Sequence, residues 1–128
     1  MSFTAEITTS GALVDGTGRQ TVDRGLQNMM ETLGIEAERR VRRRLGIVLR
    51  NPTGRYRSRI ATTVTPTYVE VHDSGVIYGP WLEGVSSRNT STRFKGYSTF
   101  RKIAQRIDAD AGAVVTSDLN RLAARLGS

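Results

Sequence analysis

Nine apolar residues, Val22, Leu26, Met29, Met30, Leu33, Ala37, Val41, Leu45 and Val48, recur at helical spacing without interruption. They predict one amphipathic helix over residues 21–49, about seven turns long. Thr21 can cap it, with Asp23 and Arg24 in the first turn. Gly34 and Gly46 weaken it locally, each by about 1 kcal/mol against alanine. Asn51-Pro52-Thr53-Gly54 ends it, because proline cannot continue the hydrogen-bond ladder and disfavours helix at the residue before it. A helix of this length with a single apolar stripe must bury that stripe against another layer.

The pattern then changes period. Over Arg55–Thr65, Tyr56, Ser58 and Ile60 alternate with Arg55, Arg57 and Arg59, which predicts a strand with its arginines on the non-core face. Pro66 allows a turn, and Thr67–His72 reads as a second strand with Val69 and Val71 on one face. Asp73-Ser74-Gly75 is a tight turn into a third strand, Val76-Ile77-Tyr78. Phe3-Thr4-Ala5-Glu6-Ile7-Thr8 alternates as a short N-terminal strand over 3–8, followed by a glycine-bearing connection from Ser10 to Gln20. Ser98 or Thr99 caps a last helix over 99–126, with Gly112 placed to bend it. The expected fold class is α+β: a three-stranded antiparallel meander over 55–78, extended by the N-terminal strand and packed against two long helices, all in one domain of residues 1–128.

Composition narrows the function classes. No apolar run approaches the ~20 residues of a membrane span. The opening MSFTAEITTSG carries no basic start and no apolar core, so no secretion signal is expected. With no cysteine, disulfide and thiolate–metal chemistry are excluded. The formal charge is +7, and all but two of the 19 basic residues are arginine. Such a balance suits contact with nucleic acid or with acidic protein. Residues 39–59 hold nine arginines and no acid. They form either a solvated face paired with Glu31, Glu36 and Glu38, or a seam meeting the acids of a neighbouring subunit, or the wall of a channel touching DNA. Phosphate contacts of that last kind are sequence-independent and salt-sensitive.

Catalytic and metal signals are missing from the pattern. His72 is the sole histidine and has no nucleophile near it in sequence. Ser74-Gly75 lacks the flanks of a nucleophile elbow. The carboxylates are scattered singly, without metal-ligand spacing. Gly16-Thr17-Gly18 is too short for a phosphate loop and has no following lysine. The expectation is therefore no enzyme, no catalytic residue, no metal and no cofactor.

The most informative segment is Tyr78–Tyr97, YGPWLEGVSSRNTSTRFKGY. After Gly79-Pro80 comes the only tryptophan, Trp81, then Leu82, Glu83 and Gly84. Polar and small residues follow, with Arg88, Arg93 and Lys95 and no acid, and Phe94 and Tyr97 lead into the last helix. A long basic loop over 79–97 with aromatic anchors (Tyr78, Trp81, Phe94 and Tyr97) suits a docking surface. Glu83 is either an exposed turn residue or a hydrogen-bonding or ion-pairing group that fixes the loop, with an arginine as partner. Trp81 is either a plug under the helices or an interface anchor. With no branched apolar residue inside Ser86–Arg93, that stretch is expected to contribute little to folding.

The same segment resembles the small neck and tail-completion proteins of long-tailed bacteriophages, the head–tail joining family. Their pattern is a tyrosine, an aromatic or aliphatic pair, Glu-Gly, a variable loop, and an aromatic before a final helix. Here it reads Tyr78, Trp81-Leu82, Glu83-Gly84, Val85–Arg93 and Phe94. NPTGRYRSRI, VHDSGVIYGPWLEG and RFKGYSTFRK are similar to versions in phages of actinobacteria. Val85 stands where the family often has threonine. The resemblance implies a structural virion protein of the head–tail connector, assembled in the host cytoplasm. It further implies a ring of identical subunits, hexameric by the tail's symmetry, which meets neighbouring neck, stopper, terminator or tail-tube proteins and surrounds DNA without reading its sequence. Arg55, Arg57, Arg59, Glu83, Arg88, Arg93 and Lys95 are the expected interface residues. The alternative, from charge alone, is a sequence-nonspecific nucleic-acid-binding domain.

Overall fold

The computed structural model describes residues 1–6, 16–49, 54–66 and 68–127. Ile7 and Thr8, the connection over 10–15, Arg50, the helix stop at Asn51-Pro52-Thr53 and Thr67 lie outside the described residues. The elements run β1 (Ser2–Glu6), α1 (Gly16–Val48), α2 (Arg55–Ser58), β2 (Ala61–Val64), β3 (Tyr68–His72), α3 (Gly79–Glu83), α4 (Arg88–Ser91), α5 (Thr99–Val114) and α6 (Thr116–Leu126). The fold is α+β: a three-stranded antiparallel sheet of order β1-β3-β2, with α1 and α5 packed on one face.

The stripe on α1 organises the core. Met30, Leu33, Ala37, Val41 and Leu45 are at most 1% exposed. They pack with Val69 and Val71 of β3, Phe3 of β1, and Phe100 and Ile107 of α5. Gly34 has a packing role: a Cβ there would press on Thr62 and Val64 of β2, so the glycine lets helix and edge strand approach. Gly25 does the same for Leu122 of α6. The helix starts at Gly16, five residues before Thr21, and so includes Gly16 and Gly18 despite their weak propensity.

The sheet differs from the predicted meander. Arg55–Ser58 is a helical turn entered through Gly54, whose φ of 84° is left-handed. Tyr56 and Ile60, both buried, are four residues apart, a spacing that a helical turn satisfies as well as a strand does. Arg55, Arg57 and Arg59 therefore do not share a sheet face. Arg57 lies over Gly46 of α1 instead. The open sheet face carries Tyr68, Glu70 and His72, with Ser2, Thr4 and Thr63. Val76–Tyr78 adds no strand, because β3 is already central. Its edges pair with β1 (Phe3↔Val71) and β2 (Thr62↔Val71), which leaves no free edge on β3 to join.

The C-terminal helix is two helices rather than one over 99–126. The break falls at buried Val115, three residues after Gly112. The Thr116 hydroxyl donates to the Gly112 carbonyl at 2.7 Å across the joint. The bend keeps both α5 and α6 against α1. No described helix is long and apolar enough to cross a membrane.

Asp73, 1% exposed, closes β3. Its Oδ2 accepts the Tyr56 hydroxyl at 2.8 Å, and its Oδ1 accepts the Gly75 N–H and faces the Met1 amine at 2.7 Å. A Cβ on Gly79 would collide with this carboxylate, so the turn can pass Asp73 only as glycine. Burial, reinforced by the hydrogen bond to Asp73, pushes the Tyr56 hydroxyl well above the ordinary tyrosine range. A group whose folded pKa exceeds its unfolded value near 10 adds stability that is complete below about pH 10 and lost as pH rises further. Tyr56→Phe should thus cost about 1–2 kcal/mol near pH 7, by leaving Asp73 short of a donor. It should also lose stability less steeply than the wild type above about pH 10. Urea unfolding at the two pH values checks both, and equal pH slopes would contradict the assignment.

Candidate docking site

The segment between β3 and α5 is built around two buried polar side chains. Glu83, 6% exposed, sits at the end of α3. Its Oε1 accepts the N–H of Phe100 and its Oε2 that of Arg101, both at 2.9 Å. It therefore caps α5 from outside the helix. A carboxylate is favoured there because the first N–H groups of a helix lack internal partners and carry its positive end. Of the two readings of Glu83, the fixing group holds, but its partner is a helix terminus rather than an arginine. The predicted caps do not serve: Ser98 is left-handed at φ 52° and makes no capping bond, and the hydroxyl of buried Thr99 has no partner.

Asn89, 3% exposed, fixes the interior of the loop. Its side-chain carbonyl accepts the Ser86 N–H at 2.9 Å. Its amide donates to the carbonyls of Trp81 and Phe94, both at 3.1 Å. The Lys95 amine donates to the Asn89 carbonyl at 2.8 Å, closing the turn of α4. So Ser86–Arg93, which has no branched apolar residue, carries a buried polar anchor instead. An amide that bonds three backbone groups does the work an apolar side chain would otherwise do.

The two ends of the loop lie side by side. The Tyr97 N–H donates to the Leu82 carbonyl at 2.7 Å, and the Ser98 N–H to the Glu83 carbonyl at 3.2 Å. Gly84 and Gly96, both with positive φ, touch backbone to backbone, and a Cβ on either would strike the other strand of the loop. Arg44 of α1 donates to the Tyr97 carbonyl at 2.9 Å, so the base of the loop is also tied to the long helix.

The anchors form two groups. Trp81, Phe94 and Tyr97 pack in series, the first pair tilted and the second edge to face, with ring centroids 4.9 and 5.0 Å apart. With Leu82 and Arg93 they line an open recess of about 660 Å³. Trp81 is half-buried on that recess and lies outside the main core. Tyr78 stacks on Tyr56 at 5.6 Å and stays 48% exposed, next to Ile77 at 96%. Arg88, Arg93 and Val85 face solvent on the loop. Lys95 is exposed but tethered. Arg55, Arg57 and Arg59 are exposed on and just after α2, on a different element from the loop cations.

Several other arginines prove to be structural. Arg40 bridges Glu36 and Asp110 at 2.8 Å each, and Arg39 also bonds Glu36. The Arg39 hydrogen bond, with that of Arg40 and against some burial, holds Glu36 below the ordinary carboxylate range. Glu36 and then Asp110 raise Arg40 in return. Arg42 donates to the Ile60 carbonyl and faces Glu38 at 3.6 Å. Glu31 bonds the Gln27 amide rather than an arginine. His72 accepts the Ser74 N–H on its Nδ1, a local turn contact. Among the described residues, no cluster of three or more His, Cys, Asp or Glu is placed to hold a metal ion.

Asp73 and Asn89 were not singled out in the sequence. Asp73-Ser74-Gly75 did announce a turn, and an aspartate opening such a turn commonly bonds the N–H two residues on. Asn89 gave no comparable signal.

No family model, no curated protein and no solved structure matches this chain.

Glu83→Gln retains the shape and one acceptor oxygen while presenting an amide NH2 to the other helical N–H. It should cost about 2 kcal/mol, the scale of a charge-assisted hydrogen bond. A fall in melting temperature of roughly 5–10 °C is the expected readout. An unchanged melting temperature would mean that the carboxylate does not hold α5.

Proposed function

We propose that this chain is a structural protein of a phage head–tail connector, a ring-forming joining subunit whose Tyr78–Tyr97 segment docks onto the adjoining neck or tail layer in the virion. The observation that carries the reading is a division of labour within that segment. The residues on which the family resemblance rests are the ones that build the frame. Glu83 caps α5, Gly84 packs on Gly96, and Trp81 packs on Phe94. The stretch between them, Val85–Arg93, is where the family varies. It presents Val85, Arg88, Thr90 and Arg93 outward while Asn89 holds it in shape. A fixed frame carrying a variable, solvent-facing, acid-free tip is what a recognition loop requires, since ordering it before contact lowers the entropic cost of binding.

Nucleic-acid binding by the whole basic surface is the weaker reading. Arg39, Arg40, Arg42 and Arg44 bond groups of the chain itself. Closed rings use heterologous contacts, one patch of a subunit meeting a different patch of the next. Among the described residues the exposed large apolar side chains are few, which argues against a large obligate twofold interface.

The test is coexpression with the products of the genes flanking its own, followed by copurification and negative-stain imaging. Ring-shaped complexes with a portal, stopper or tail-tube protein are expected. The double substitution Arg88→Ser, Arg93→Ser should leave the melting temperature within a few degrees, since exposed changes usually stay within about 0.5 kcal/mol each. It should reduce partner recovery severely. A tight dimer with twofold symmetry that ignores every flanking product would refute the joining role.

A further inference from the structure

Two isoleucines interrupt the polar surface of α1, Ile35 at 71% exposure and Ile47 at 74%. Ile35 has Glu31 and Glu38 on its β2 side and the Asp118–Arg121 pair with Arg125 on its α6 side, whereas Ile47 has only cations among its charged neighbours. Ile35 stands beside Glu31 and Glu38 where α1 meets the edge strand β2 at Thr62 and Val64. Glu31 accepts the Gln27 amide and makes no ion pair among the described residues; Glu38 accepts the Thr62 hydroxyl at 2.9 Å and faces Arg42 at the long distance of 3.6 Å. Ile47 lies in a groove of about 500 Å³ between α1 and α5. Ile47 and Ile103 line it together with Arg40, Arg43, Lys102 and Arg106. Glu36 and Asp110 neutralise Arg40. Arg43, Lys102 and Arg106 are exposed and unpaired among the described residues.

The two features lie on opposite flanks of one helix. α5 packs over β1 on one side of α1, and β2 lies on the other. One copy therefore cannot close its own ridge into its own groove, but two copies can meet head to tail.

We propose that the Ile35 ridge of one copy docks in the Ile47 groove of the next, with Glu31 and Glu38 meeting Arg43, Lys102 and Arg106. The inference rests on the ring reading above and supplies its seam. Each copy keeps one unused ridge and one unused groove, so the contact repeats and either closes into a ring or runs on as a filament. The occupant is a second copy because the chain itself carries a complement, an isoleucine flanked on its β2 side by Glu31 and Glu38. DNA fits the groove less well: phosphates have no use for an isoleucine lining, and no aromatic side chain lines the groove for base stacking. Exposed charge pairs weaken with salt, so the seam should as well.

Sedimentation velocity on the full chain at low salt tests this, with Ile35→Ser and Ile47→Ser as probes. Both residues are exposed, so both variants should melt like the wild type. The wild type should associate beyond dimer as concentration rises, and added salt should reverse this. Each variant alone should remain monomeric. An equal mixture of the two should form dimers and nothing larger, because Ile35→Ser supplies an intact groove and Ile47→Ser an intact ridge. A wild type that stays monomeric up to about 1 mM, a bound no weaker than the poorest specific contacts, overturns the seam. So do variants that associate as the wild type does. A DNA duplex or an acidic peptide captured in the groove without self-association overturns it too, by giving the groove another occupant. Rings that Ile47→Ser forms with flanking partners as readily as the wild type remove the seam and leave the ring reading standing. Wild-type chain that forms no ring with any flanking product removes the ring reading itself.

Discussion

Two backbone N–H groups at the start of α5, those of Phe100 and Arg101, meet the buried carboxylate of Glu83. Each side needs the other. A buried carboxylate without donors is expensive, and so are helix-end donors without acceptors. The contact is not local, because seventeen residues separate Glu83 from Phe100. It therefore sets where the docking segment begins and ends relative to α5. Since α5 packs Phe100 and Ile107 into the same core as α1 and β1, the loop inherits the rigidity of the whole domain.

A second layer of order lies inside the segment. The Asn89 amide, the Gly84–Gly96 approach and the Trp81–Phe94–Tyr97 series hold the chain without a conventional apolar core. The arrangement suits a protein whose loop must vary outside while its support stays constant. The other cationic surface, along α1 and α5, is built differently, from long side chains beside two isoleucines. On the reading proposed above, the two surfaces would divide the work of a connector subunit, one for the next layer and one for the next copy.

Much of the architecture could be read from periodicity. The α1 stripe predicted a helix from residue 21 to 49; the helix runs from Gly16 to Val48, and Met29, Met30, Leu33, Ala37, Val41 and Leu45 of the stripe are buried while Val22, Leu26 and Val48 are half-buried. The strand at Tyr68–His72 was also legible, because Val69 and Val71 face one way. Arg55–Ile60 misled, since Tyr56 and Ile60 satisfy both a period of two and a helical turn, and only the left-handed Gly54 decides between them. The third strand failed for a reason no local pattern holds. The N-terminal strand takes the edge of β3 that Val76–Tyr78 would have needed. In the docking segment, the aromatic anchors and Glu83 could be picked out by residue type. What Glu83 bonds to could not, because a remote cap leaves no spacing signal. Asn89 was hidden for the same reason, as one polar residue among many.

Amide hydrogen exchange across residues 84–101 tests most directly whether this segment is a preformed surface. If Glu83 and Asn89 hold it, the N–H groups of Ser86, Tyr97, Phe100 and Arg101 should exchange at least about a hundredfold more slowly than in an unstructured peptide. Substituting Glu83 should speed the last two before the α1 core opens. Exchange at unstructured-peptide rates throughout 84–101, with α1 still protected, would contradict it: the segment would then be a loose tether ordered only by whatever it meets.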